Sequence, residues 1–242
     1  MKKLLCLVFL ALFGCSQQSD TLTIATAANM QYAMKELSQA FEQETGIDTD
    51  LVISSSGKLT AQITAGAPYD IFFSADLSYP KKLAQSGLTE GNASTYAYGQ
   101  LVLWTTIPDK SITLENLETE ERIVLGNPKT APYGKAAEEF LTHMELIHVV
   151  NEKLIFGESI SQVNQFITTQ NASAGFTSKS SVIANPRFGG QWIAVPDSLH
   201  SPIAQAMVVL KNDRNMSASA KAFADFVLSP KGQIILNGFG YK

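Results

Sequence analysis

Leu51-Val-Ile-Ser-Ser-Ser-Gly-Lys58 is the stretch whose reading decides the fold. An apolar strand runs into three serines and a glycine, and Leu59 and Ile63 then recur at helical spacing. A strand that hands hydroxyls and a glycine to a helix start builds an anion cup. The first-turn N–H groups of that helix lack intrahelical acceptors, and the helix dipole places partial positive charge there.

The same strand-to-helix step recurs on either side. Leu22–Ala25 alternates like a strand and turns through Thr26-Ala-Ala-Asn29 into a helix. Its apolar stripe is Met30, Met34, Leu37 and Phe41, and Gly46 stands where a C-terminal cap belongs. Downstream, Asp70–Ala75 reads as a buried strand, followed by a helix around Pro80–Gln85 that ends at Gly87. Strand and helix alternating in this way predict an α/β fold with open, mostly parallel sheets, in which ligands sit beyond the carboxyl ends of the strands. Asn29 and Ser56 both fall at that edge.

The second half repeats the logic. A long strand is expected at Gln100–Thr106, and Ile123–Asn127 is a further strand leading to Pro128-Lys-Thr-Ala-Pro-Tyr-Gly-Lys135, with proline at a helix start. Lys153–Phe156 leads to Gly157-Glu-Ser-Ile-Ser-Gln162, where Ser159 and Gln162 have capping-box spacing. Short strands are expected at 174–177 and 192–195, an extended apolar segment at 203–210, and closing helices at 217–228 and from Pro230. The pattern predicts two lobes joined by two extended crossings, near 98–104 and 200–206. Lobe I takes residues 21–100 and 204–242, and lobe II takes 101–203.

Composition narrows the partners. The chain has 242 residues, 45% hydrophobic and 17% charged, with formal net charge −4, an ordinary globular balance. Met1-Lys-Lys, the apolar run Leu4–Phe13 and Gly14-Cys15 read as a signal peptide over 1–14, too short to span a bilayer. Leu12-Phe-Gly-Cys15 resembles a bacterial lipobox, so Cys15 is the expected lipidation site and 15–20 a short tether. Loss of Lys2 and Lys3 leaves 16 basic and 22 acidic residues, formally −6, which argues against nucleic acid and anionic membrane as partners. With Cys6 removed and Cys15 lipidated, no thiol remains for disulfides, thiolate catalysis or metal ligation.

Four helix starts share one character: Ala28-Asn29, Ser56-Gly57, Pro132-Tyr133-Gly134 and Ser159-Ile160. Singly, each is an ordinary cap. Four at strand ends, two in each half, define a shared cleft. An enzyme reading fares poorly, because His143, His148 and His200 pair with no serine and Gly157–Ser161 lacks the second glycine of a nucleophile elbow. Val52 stands where a P-loop would need its first glycine.

The chain resembles the periplasmic molybdate-binding proteins of ABC transporters, a group of type II, two-lobed solute-binding proteins. The resemblance is carried by Ala25–Asn29, Ser54–Leu59, Gly66–Asp76, Asn127–Gly134, Gly157–Gln162 and Leu228-Ser-Pro-Lys-Gly232. It implies oxyanion contacts from Asn29 (side chain and N–H), Ser56 (hydroxyl and N–H) and the backbone N–H groups of Tyr133 and Ile160, with Ala28 and Gly57 beside them. Where some members add a tyrosine hydroxyl, this sequence has Ser178.

It further implies capture of molybdate, or tungstate, through its oxygens with no direct metal ligand and no cofactor. A monomer, held to the membrane only by its lipid, would deliver the ion to an ABC permease. Another tetrahedral oxyanion, sulfate or phosphate, is the alternative cargo, and ferric iron on Tyr96, Tyr98 and Tyr241 is a remoter one. A donor-only site favours a dianion that accepts hydrogen bonds and never donates. Bonds to a charged group are worth about 1.5–3 kcal/mol each, so such a site needs no lysine. Lys58 and Lys135 therefore read as surface residues, and Asp70 and Asp76 as structural ones.

Overall fold

A computed structural model describes residues 21–242; the expected leader, the tether and Cys15 lie outside the described residues. β1 (Leu22–Ala27) passes through a 3-10 turn, Ala28–Met30, into α1 (Gln31–Thr45). β2 (Thr49–Ser54), α2 (Ser56–Thr64), β3 (Ile71–Ser74), α3 (Ser78–Gln85) and β4 (Thr89–Gly99) follow. The chain then changes sheet at Gln100 and forms β5 (Leu101–Thr105), β6 (Ile123–Gly126), α4 (Pro132–His143), α5 (Ile147–Val150) and β7 (Leu154–Gly157). Next come α6 (Ile160–Thr168), β8 (Ala174–Ser178), α7 (Lys179–Ile183) and β9 (Gln191–Ala194). A second crossing returns it to β10 (Ile203–Leu210), α8 (Ser217–Leu228) and α9 (Pro230–Gly238).

The strands form two five-stranded sheets, β2-β1-β3-β10-β4 and β7-β6-β8-β5-β9. We call the halves built on them lobe I and lobe II. In the first, β1 pairs in parallel with β2 and β3, while β10 is antiparallel to β3 and β4. In the second, β6 is parallel to β7 and β8, and β5 is antiparallel to β8 and β9. In each sheet a single strand, β10 or β5, therefore runs against the rest. Both reversed strands adjoin the crossings, so the connections enter the sheets from the same side as the cleft.

Packing follows the periodicities. Met30, Met34, Leu37 and Phe41 are buried against one face of the first sheet, and the Phe41 ring meets Phe223 of α8 edge-on at 5.0 Å between centroids. Gly46 ends α1 at φ 72°, a left-handed position that a side chain would strain. Leu59, Ile63 and Leu83 cover the opposite face. In lobe II, Phe140 and Leu141 of α4 pack on one face and Val163 and Ile167 of α6 on the other. The core beneath α4 also takes in Ala27, Ala28 and Ala75 from lobe I, so the lobes meet across small side chains.

Three elements differ from the sequence expectation, one being the short helix α5, Ile147–Val150, where none was expected. The strand expected at 100–106 begins at Leu101, and a longer strand, β4, occupies the polar stretch before it. Glu90-Gly-Asn-Ala-Ser94 lacks strand-like alternation because β4 is an edge strand whose outer face meets solvent. Its pairing with β10 shifts register twice, and the C-terminal Lys242 exchanges backbone bonds with Tyr98 at 2.7 and 2.9 Å. Helix α7 was not expected at all; it is a short turn capped by Ser178.

Candidate oxyanion site

The carboxyl ends of β1, β2, β3, β6 and β7 face one small cavity of about 10 Å³. It is lined by Ala27, Ala28, Asn29, Ser55, Ser56 and Ala75 from lobe I and by Ala131, Pro132, Tyr133 and Ile160 from lobe II. Among the described residues, none that lines it carries a formal charge at neutral pH.

At the start of α2, the first intrahelical bond runs from Leu59 N–H to Ser55 O at 3.0 Å, which leaves Ser56 N–H ahead of the helical ladder. Ser56 Oγ accepts the Ala75 N–H at 2.9 Å. With its lone pair engaged by the backbone, the hydroxyl is fixed in one rotamer and its own proton is free to donate. Ser55 is the N-cap of α2, yet its hydroxyl makes no cap bond; its Oγ is buried and partnerless. Sequence reading passed over Ser55 because an N-cap serine ordinarily spends its oxygen on its own helix.

The lobe II helix starts are set by a turn and a cap. Ala131 N–H donates to Asn127 O at 2.8 Å, and Asn127 N–H donates to Gly157 O at 2.8 Å, tying together the ends of β6 and β7. Pro132 opens α4, whose first intrahelical bond is Lys135 N–H to Ala131 O at 3.0 Å, so Tyr133 N–H lies ahead of the ladder. Gly134 allows α4 to approach β6: a Cβ there would stand 1.9 Å from Gly126 O. In α6, Ser159 Oγ accepts Gln162 N–H at 3.4 Å, and Gln162 Oε1 accepts Glu158 N–H at 2.7 Å. The capping box thus closes one residue early. Val163 N–H to Ser159 O, 3.0 Å, is the first α6 bond, which leaves Ile160 N–H open. Among the described residues, the N–H groups of Ala28, Asn29, Ser56, Tyr133 and Ile160 have no protein acceptor.

Asn29, Ser56, Tyr133, Ile160 and Ala28 therefore come together on one cavity, while three of the expected donors have protein partners. The Asn29 side chain is committed elsewhere: Nδ2 donates to Gln205 Oε1 at 2.8 Å and to the Tyr241 hydroxyl at 3.0 Å, so both its protons are used. Gly57 N–H donates across the cleft to Thr130 O at 2.9 Å. Ser178 does not line the cavity; its Oγ accepts Ser181 N–H at 3.3 Å and lies 3.0 Å from Ser180 Oγ. Gln205, Ser180 and Tyr241 escaped sequence reading because each meets Asn29 only through tertiary structure.

Charges stand at the rim. Lys58 Nζ of lobe I pairs with Glu158 of lobe II at 2.7 Å, half-exposed. Asp76 holds the α3 start, accepting Tyr79 N–H at 3.1 Å and the Ser78 hydroxyl at 2.8 Å. Asp70 is buried at the opposite end of β1, accepting Thr23 N–H at 2.7 Å and Asn212 Nδ2 at 2.9 Å. Burial pushes the Tyr133 hydroxyl well above the ordinary tyrosine range, and it does the same to Tyr241. Both remain neutral donors at any physiological pH. Among the described residues there is no group of three or more His, Cys, Asp or Glu able to hold a metal ion. Its described lining presents backbone and hydroxyl donors and no carboxylate.

Two lobes joined by two crossings, with a donor-lined cavity between them, define a solute-binding protein, and the chain belongs to the bacterial extracellular solute-binding protein family, whose profile matches residues 22–242. Among the proteins the chain is similar to are two that bear the name molybdate-binding protein ModA. That of Rhodobacter capsulatus is 39% identical over 222 residues, covering 90% of this chain and 86% of the relative. That of Azotobacter vinelandii is 36% identical over 236 residues, covering 95% and 93%. The solved periplasmic molybdate-binding protein of Azotobacter vinelandii superposes with a TM-score of 0.86 at 32% identity, covering 91% of this chain and 98% of that one.

Proposed function

We propose that this chain captures molybdate, and tungstate with it, outside the cytoplasm and delivers it to an ABC permease. The observation that carries this reading is the cavity itself. It offers backbone N–H groups from both lobes and the Ser56 hydroxyl, and no lining group is a carboxylate. The molybdate-binding relatives, similar over nearly the whole chain, support it.

The donor set is N–H of Ala28, Asn29, Ser56, Tyr133 and Ile160, with the hydroxyls of Ser56 and Ser55. Helices α2, α4 and α6 point their N-terminal ends inward and supply the compensating partial charge. Monoprotonated phosphate would have to donate a hydrogen bond and finds no lining carboxylate to receive it. Capture proceeds by hinge motion at Gln100 and at the return crossing before Ile203. The anion bridges helix starts from the two lobes, and the closed form docks on the permease. The protein acts as a monomer anchored through lipid on Cys15.

Isothermal titration of the purified protein with molybdate, tungstate, sulfate and phosphate tests the reading. Tight binding of the first two with weak binding of sulfate and phosphate is the expected result. Sulfate binding as strong as molybdate would overturn the selectivity, and absence of binding by any oxyanion would overturn the function.

A further inference from the structure

Asn29 is held from three directions by groups that do not touch the cavity. The Tyr241 hydroxyl accepts Asn29 Nδ2 at 3.0 Å and lies 3.0 Å from both Asn29 O and Ser180 Oγ. The Ser180 hydroxyl is 2.9 Å from Asn29 O. One assignment uses every proton: Asn29 Nδ2–H to Tyr241, Tyr241 O–H to Ser180, Ser180 O–H to Asn29 O. The result is a closed, buried ring of donors and acceptors, the kind of network in which each bond depends on the others.

The members come from both lobes. Asn29 follows β1 in lobe I, and Tyr241 is fixed to the same lobe by its own N–H to Leu236 O at 3.2 Å and by the Lys242–Tyr98 backbone pair. Ser180 belongs to α7 of lobe II, which is tied to the crossing by Lys179 N–H to Gln100 O at 3.0 Å. The ring therefore closes only when the lobes meet. It grips both the carboxamide and the carbonyl of Asn29, so the conformation of the turn that aims the Ala28 and Asn29 N–H groups is fixed at that moment.

We infer that Tyr241 and Ser180 are positioning residues that lock the Asn29 turn across the lobes when the cleft closes on the anion. The inference rests on the proposed oxyanion function. A group engaged only in the closed form slows release and leaves encounter unchanged.

The test uses the full-length protein and its Tyr241→Phe, Ser180→Ala and double variants. Stopped-flow molybdate binding and thermal midpoints without and with molybdate are the readouts. Each single variant is expected to raise Kd about tenfold through faster dissociation, with association unchanged. The double variant is expected to be no weaker than the worse single, because either change opens the ring. Ser180→Ala is expected to leave the midpoint without molybdate unchanged, which separates positioning from a merely structural role. Unaltered dissociation, or fully additive effects in variants of a wild type that binds, overturns the lock alone. A wild type that binds no oxyanion overturns the functional reading and the lock with it.

Discussion

Gly57 of lobe I donates its backbone N–H to the carbonyl of Thr130 of lobe II at 2.9 Å, so two helix starts that flank the cleft are joined by main chain alone. The approach is possible because residue 57 has no side chain. A Cβ there would stand 2.8 Å from Thr130 Cα and 2.8 Å from the Tyr79 hydroxyl, which itself donates to Lys129 O at 3.1 Å. Gly57→Ala should therefore act on closure and spare the fold, since alanine favours the first turn of α2. We expect a molybdate Kd at least about tenfold weaker, an unchanged thermal midpoint without ligand, and a solution-scattering radius that fails to contract on loading. Wild-type affinity in this variant would show that the lobes need not come this close.

Ser56→Ala removes a donor and an acceptor together. Loss of the hydroxyl bond to a dianion is expected to weaken binding by about 1.5–3 kcal/mol, and stranding the buried Ala75 N–H should destabilise the fold by about 1–3 kcal/mol. Ser55→Ala leaves no protein group stranded, because Ser55 Oγ has no partner. Its effect should fall on affinity and leave stability alone. Titration paired with urea unfolding of both variants separates the two terms; equal stability loss in both would contradict the bond assignment.

How much of this was legible in sequence depends on distance along the chain. The α1 stripe, the Gly46 cap, the proline at the start of α4 and the Ser159 cap are local, and periodicity or capping chemistry reveals them. Strand β4 was hidden because edge position, not alternation, decides its residues. The partners of the Asn29 side chain were hidden for a different reason: Gln205 and Tyr241, which take both its protons, stand 176 and 212 residues away. Ser178 likewise turns inward to cap a helix too short to announce itself.

Asp70 offers a control for the site. It is a buried carboxylate in a lobe that binds an anion, yet it lies at the amino end of β1, away from the cleft. It receives Thr23 N–H, Asn212 Nδ2 and, at 3.6 Å, the Arg214 guanidinium. Asp70→Ala would strand the Thr23 N–H that the carboxylate receives, at a cost of about 1–3 kcal/mol. We expect a clear fall in urea midpoint with molybdate affinity unchanged in the folded fraction. A loss of affinity at full folding would place Asp70 in the binding machinery.

The buried tyrosines give stability a defined dependence on alkali. Tyr96, Tyr133 and Tyr241 are all raised above the ordinary value of 10.0, burial being the largest cause in each. Their folded-state values exceed the unfolded one, so the stability they contribute is fully present below pH 10 and is lost as pH rises toward the folded values. Above pH 10 the unfolded chain releases protons that the folded chain retains, and each tyrosine should lower stability by about 1.4 kcal/mol per pH unit. Urea unfolding should give a flat profile between pH 7 and 9, then a decline that is shallower by one proton in Tyr241→Phe. Molybdate affinity should stay level over the same flat range, because among the described residues the only titratable one lining the cavity is Tyr133, which stays protonated. A stability that held constant through pH 11, or a Tyr241→Phe slope equal to that of wild type, would mean that these hydroxyls reach solvent.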